Sequence, residues 1–128
     1  MIGALVTAVA GSSDYYLGGA VTYADPAKVA LLGIEPAALD RHGAVSAETA
    51  CAMAAEIRGR LGATVAVSVT GIAGPGGGSA ARPVGLVYIA VATADGVRAE
   101  RFDFPGDRAA VRAAAAERAL ERVMAAVG

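Results

Sequence analysis

The chain has little from which a metal centre or a disulfide is made. Among its 128 residues there is one cysteine, Cys51, and one histidine, His42. One thiol forms no internal bridge, and one thiol with one imidazole argues against a dedicated transition-metal site. Metal and organic cofactors are therefore not expected. Charge of one sign is also missing: the formal net charge is -1 and the pI about 5.7, so there is no basic footprint for a nucleic-acid backbone. Long apolar runs are absent too. The mean hydropathy of +0.52 comes from alanine and valine spread between charges, and no run approaches the roughly 18 apolar residues that span a bilayer. A membrane partner is not expected. With no basic leader and cleavage motif and no disulfide, the cytoplasm is the expected compartment.

Lysine is the scarcest charge. Lys28 is the only lysine among 11 basic residues, the others all being arginine. A lone lysine is either chance or a position that needs an amine able to lose its proton, which a guanidinium does not do.

What the chain has in quantity is glycine, concentrated in Thr70-Gly71-Ile72-Ala73-Gly74-Pro75-Gly76-Gly77-Gly78. Glycine lets backbone N–H groups converge on one point and lets a ligand approach closely. The segment follows an apolar run, residues 63–69, that reads as a strand, and ligands of open α/β sheets bind beyond the carboxyl ends of strands. Thr70, Gly71, Ile72, Ala73, Gly74 and Gly76 are the candidate substrate-binding residues. The alternative is a flexible surface loop. The pattern is neither a P-loop nor a dinucleotide fingerprint.

Periodicity outlines the rest. An apolar face at Ile2, Leu5, Val6 and Val9 predicts a helix stopped by Gly11, and residues 15–24 (YYLGGAVTYA) have the composition of a strand. Asp25-Pro26 opens a short helix to about Leu32, with Asp25 as N-cap. Lys28 then lies in the first turn, where the helix dipole disfavours a cation. Tyr23 is five residues away, near enough across the turn for hydroxyl and amine to meet. Lys28 is thus a candidate general base and Tyr23 its candidate partner, the alternative for Tyr23 being a core position. Another short helical piece starts at Ile34-Glu35-Pro36. His42 is a candidate ligand or base, the alternative being a loop histidine bonded to backbone groups.

Ser46 caps a helix over residues 47–61, expected to bury Ala50, Met53, Ala54, Ile57 and Leu61, with Cys51 a small core residue. Residues 84–93 (VGLVYIAVAT) suit a strand buried on both faces, and Asp95-Gly96 predicts a hairpin to an antiparallel strand over residues 97–104. Asp107 caps a last helix expected to bury Val111, Ala116, Leu120, Val123, Met124 and Val127. Arg108, Arg112, Glu117, Arg118, Glu121 and Arg122 are expected to stay in solvent. The fold class is α/β: a three-layer α/β/α sandwich with a mixed sheet, residues 1–128 forming one domain.

The segments GSSDYYLGGAVTYADPAKVALLGI, HGAVSAETACAMA and TGIAGPGGGSAARPVGLVYIAVA closely resemble the C-terminal domain family of the competence-damage-inducible protein CinA, also found alone as nicotinamide mononucleotide deamidase. The resemblance implies an amidohydrolase that converts nicotinamide mononucleotide and water to nicotinate mononucleotide and ammonia, in a three-layer fold with a five-stranded mixed sheet and usually as an oligomer. The family's catalytic set is a serine, a tyrosine and a lysine. The tyrosine and lysine fall on Tyr23 and Lys28. The serine belongs to a Glu-Ser-Cys-Thr-Gly-Gly segment that this chain lacks, and neither Ser12 nor Ser13 replaces it by motif. The expected chain is therefore short of the family's first strand, which the resemblance places between residues 15–24 and 63–69, and of the helix before it. Two readings follow: an amidohydrolase domain, or a catalytically inactive nucleotide-binding or assembly module.

Overall fold

A hairpin and one further strand make the centre of the molecule. The computed structural model describes residues 1–127. Strands β1 (Ala66–Gly71), β2 (Leu86–Thr93) and β3 (Gly96–Asp103) form a three-stranded sheet in that order, antiparallel throughout, with Val69 opposite Ile89 and Ala90 opposite Ala99. The Asp95-Gly96 turn joins β2 to β3 as its sequence predicts, Thr93 pairing with Gly96.

Alternation along β2 builds the layers. Val87 and Ile89 point to one face and join Val111, Ala115 and Ala119 of helix α5 (Arg108–Val127), with Val67, Val69, Phe102 and Phe104 packed alongside. Ala90 and Ala92 point to the other face and meet Ala50 and Ala54 of helix α4 (Ala47–Leu61), all four nearly or wholly inaccessible. Small side chains on both partners let helix and sheet approach closely. Burying a side chain such as Ile89 is worth about 1.5–3 kcal/mol. Helices α2 (Asp25–Leu32) and α3 (Pro36–His42) pack on the outside of α4 through Leu32, Ile34, Leu39 and Met53. Helix α1 (Ile2–Thr7) lies against α5. Helices cover both faces of the sheet, the three-layer α/β arrangement.

At the starts of α4 and α5 and the ends of α2 and α4, local capping chemistry operates where the sequence puts it. Ser46 Oγ accepts from the Thr49 amide at 3.1 Å and Asp107 Oδ1 from the Ala110 amide at 2.9 Å. Gly33 and Gly62 close α2 and α4 in the left-handed conformation.

Several expectations are corrected. Residues 15–24 form no strand; after a 3-10 turn at Ser12–Asp14 the chain runs irregularly to α2, with Leu17, Val21 and Tyr23 exposed. A ladder needs a neighbour, and among the described residues these backbone groups pair with no strand, whatever their β propensity. For the same reason the sheet is antiparallel rather than mixed. Helix α1 ends at Thr7, short of Gly11, which instead opens the 3-10 turn with φ 86°. The cap position of α2 is Ala24; Asp25 lies inside the first turn and makes no capping bond. Strand β1 starts later than expected and takes in Thr70 and Gly71. In α4, Leu61 is exposed and Ile57 and Cys51 are half-buried. In α5 the buried stripe is Val111, Ala115, Ala116 and Ala119, while Met124 and Val127 are exposed. Arg118 and Arg122 are drawn from solvent over the Phe102 ring, at 5.1 and 5.7 Å from its centroid.

Candidate functional site

The Tyr23–Lys28 segment and the glycine-rich loop meet at the N-terminal turn of α5. Lys28, in the first turn of α2, is 5% exposed. Its Nζ donates to the Thr22 carbonyl at 2.7 Å and to the Tyr23 carbonyl at 3.4 Å, with Asp25 Oδ1 4.0 Å away. The amine folds back over the chain that leads into its own helix and fixes that chain's course. Tyr23 is the opposite case, 83% exposed. Its hydroxyl is held by Arg108 Nη2 at 3.5 Å and makes no hydrogen bond to Lys28 among the described residues.

Arg108 is the residue that sequence reasoning missed. Its Nη1 donates to the Gly74 carbonyl at 3.0 Å while Nη2 reaches the Tyr23 hydroxyl, so one guanidinium ties together two motifs far apart in sequence. The signal was available. Arg108 stands in the first turn of a helix, where a cation is disfavoured by the dipole, the argument that singled out Lys28.

The loop residues divide by what they already bind. Thr70 is buried on β1 and its hydroxyl donates to the Ala44 carbonyl at 2.7 Å. Gly71 pairs with Val87 at the end of the strand, where a Cβ would strike Val87. The Ile72 amide donates to the Leu86 carbonyl at 2.9 Å, and its carbonyl accepts from Gly85 at 2.7 Å. Ala73 packs on the core at the α5 face. These residues fix the base of the loop. Gly74 is buried with φ 82° and its site is closed by Val84, so only glycine fits. Gly76 is exposed with open space around it. The amides of Ala73, Gly74, Gly76, Gly77 and Gly78 carry no hydrogen bond among the described residues.

The assembly offers the Arg108 guanidinium, the Tyr23 hydroxyl and a run of unspent amides in the glycine-rich loop, while the Lys28 amine is turned to the carbonyls of Thr22 and Tyr23. Charged donors and free N–H groups favour an anionic ligand. His42 stands apart, its Nδ1 3.6 Å from Glu48 Oε2. Burial, and secondarily the Glu48 carboxylate, raise the Cys51 thiol above its ordinary range and keep it protonated. No helix among the described residues is long and apolar enough to cross a membrane.

The fold is that of an α/β protein with a glycine-rich loop at one end of its sheet. The chain belongs to the CinA C-terminal domain family, whose model matches residues 1–127. It is 54% identical over 112 residues to a CinA-like protein of Geobacter sp. (strain M21), covering 88% of this chain and 27% of that protein. A CinA-like protein of Citrifermentans bemidjiense is 50% identical over 121 residues, 94% of this chain and 29% of that one. The chain thus spans under a third of the length of these relatives. Among solved structures, the competence/damage inducible protein CihA from Agrobacterium tumefaciens superposes with a TM-score of 0.94 at 43% identity, over 97% of this chain and 76% of that one. A CinA superfamily protein from Escherichia coli gives 0.91 at 31% identity, over 96% and 72%.

Proposed function

We propose that the chain carries a nicotinamide mononucleotide site of the amidohydrolase type. The observation that carries this reading is the Arg108 guanidinium, shared between Gly74 of the loop and the hydroxyl of Tyr23. In this reading the amides of residues 73, 74 and 76–78 and Arg108 hold the phosphate, and Tyr23 faces the carboxamide, joined by Lys28 once its amine turns from the Thr22 carbonyl. The reaction adds water across the amide C–N bond, so that a carboxylate forms and ammonia leaves. In a covalent route a hydroxyl oxygen attacks the amide carbon, its proton passes to the base, and ammonia departs before water releases the acid. Tyr23 and Lys28 supply the base side of that sequence.

A second reading, a nucleotide-binding or assembly module without turnover, rests on one observation: no serine hydroxyl bonds to Lys28 or Tyr23 among the described residues. Calorimetric titration of nicotinamide mononucleotide, with ammonia release followed in parallel, separates the two. Binding with release supports the hydrolase, and binding without release supports the module. Failure to bind the mononucleotide overturns the site assignment.

A further inference from the structure

We propose that Arg82 is a positioning residue that sets the glycine-rich loop by locking its exit to the turn between α3 and α4. The inference rests on the reading of this loop as the ligand-binding element. The loop's base is held by the Ile72, Gly85 and Leu86 backbone bonds, and Gly74 by Arg108. Beyond Gly74, residues 75–82 are all exposed. A long exposed stretch without anchors samples many conformations, and ordering it on a ligand costs affinity.

The anchor is at its end. Ser79 and Arg82 close a small turn, the Ser79 amide donating to the Arg82 carbonyl at 2.8 Å and the Arg82 amide to Ser79 Oγ at 3.0 Å. The Arg82 side chain then crosses to the α3–α4 turn, Nε donating to the Val45 carbonyl at 2.8 Å and Nη2 to the His42 carbonyl at 3.0 Å. The receiving turn is itself fixed. Gly43 accepts from Ser46 Oγ at 3.0 Å and Thr49 Oγ1 at 2.6 Å, and Ala44 from Thr70 Oγ1. The four successive carbonyls of residues 42–45 thus each receive a side-chain donor. Arg82 fills two of them, and its planar fork spans a pair that a lysine ammonium does not reach together. Strand β1, through Thr70, and the loop exit, through Arg82, are registered against the same turn, so the segment between them has both ends set by it.

The test uses the 128-residue protein with Arg82→Ala and Arg82→Lys. Hydrogen exchange is read at residues 73–81 and 43–46, with β2 and α4 as the control for folding, and nicotinamide mononucleotide is titrated by calorimetry. Arg82→Ala is expected to speed exchange in both segments and to weaken mononucleotide binding by about tenfold, with β2 and α4 unchanged. Arg82→Lys is expected to fall between. Unchanged exchange in residues 73–81 overturns the lock. Faster exchange with unchanged affinity overturns its bearing on the ligand. If the unmodified protein binds no mononucleotide while the variants exchange faster, the lock stands and the mononucleotide reading alone falls.

Discussion

Arg108 donates to the carbonyl of Gly74 across 34 residues of sequence, at 3.0 Å. This one bond brings the last helix to the glycine-rich loop, and its other guanidinium nitrogen continues to Tyr23. Replacing Arg108 with alanine is expected to weaken mononucleotide binding by about ten- to a hundredfold, the scale of a lost charged hydrogen bond. The melting temperature should fall modestly, because the Gly74 carbonyl loses its donor while the core packing of α5 is untouched. Arg108→Lys should recover little, since one ammonium does not serve both acceptors. Calorimetry beside thermal melting checks this; binding of Arg108→Ala at the parental affinity refutes it.

Gly74 and Gly76 should answer differently to alanine. Gly74 has a positive φ and Val84 against the place a Cβ would take, so Gly74→Ala should cost about 1–2 kcal/mol in backbone strain alone and lower the melting temperature. Gly76 faces open space without that conformation. Gly76→Ala should melt like the parent, and any loss of mononucleotide affinity then reports on close approach of the ligand. Equal melting of the two variants would contradict the geometry.

Lys28 has a structural duty besides any chemical one. Lys28→Met keeps most of the stem and removes the donor, leaving the Thr22 carbonyl without its buried partner, and should destabilise by about 1–3 kcal/mol in urea titration. Lys28→Arg tests a base role only together with such a stability measurement, since a larger head at a buried position loses activity through packing as well. A Lys28→Met protein as stable as the parent would show that the bond to Thr22 contributes little.

Cys51 gives the pH prediction. Burial raises its thiol pKa in the folded state, with Glu48 adding to the effect. At about pH 8.5, where an unperturbed thiol is half ionised, the folded protein should react with a thiol reagent more slowly than the unfolded chain. The unfolded chain releases its proton first, so the thiol's contribution favours unfolding as pH rises through that range. Equal reactivity with and without denaturant would refute the shift.

The sequence by itself determined what local chemistry decides. Ser46 and Asp107 cap their helices because the donors they bond lie three residues on. Asp95-Gly96 makes the hairpin because turn conformation is a property of a few residues, and the unbroken apolar run of β2 already reports burial on both faces. Only the tertiary structure decided questions of partnership. Residues 15–24 have strand composition and form none, because strand pairing belongs to two segments. Thr70 looked like a ligand-facing hydroxyl at the mouth of the loop, and a carbonyl 26 residues earlier accepts its hydrogen bond. Arg108 read as surface charge, and nothing marked Arg82 out in a chain that uses arginine almost everywhere. Each instead joins the glycine-rich loop to another element, because a long side chain with a fork of donors bonds to whichever carbonyls the fold brings within reach.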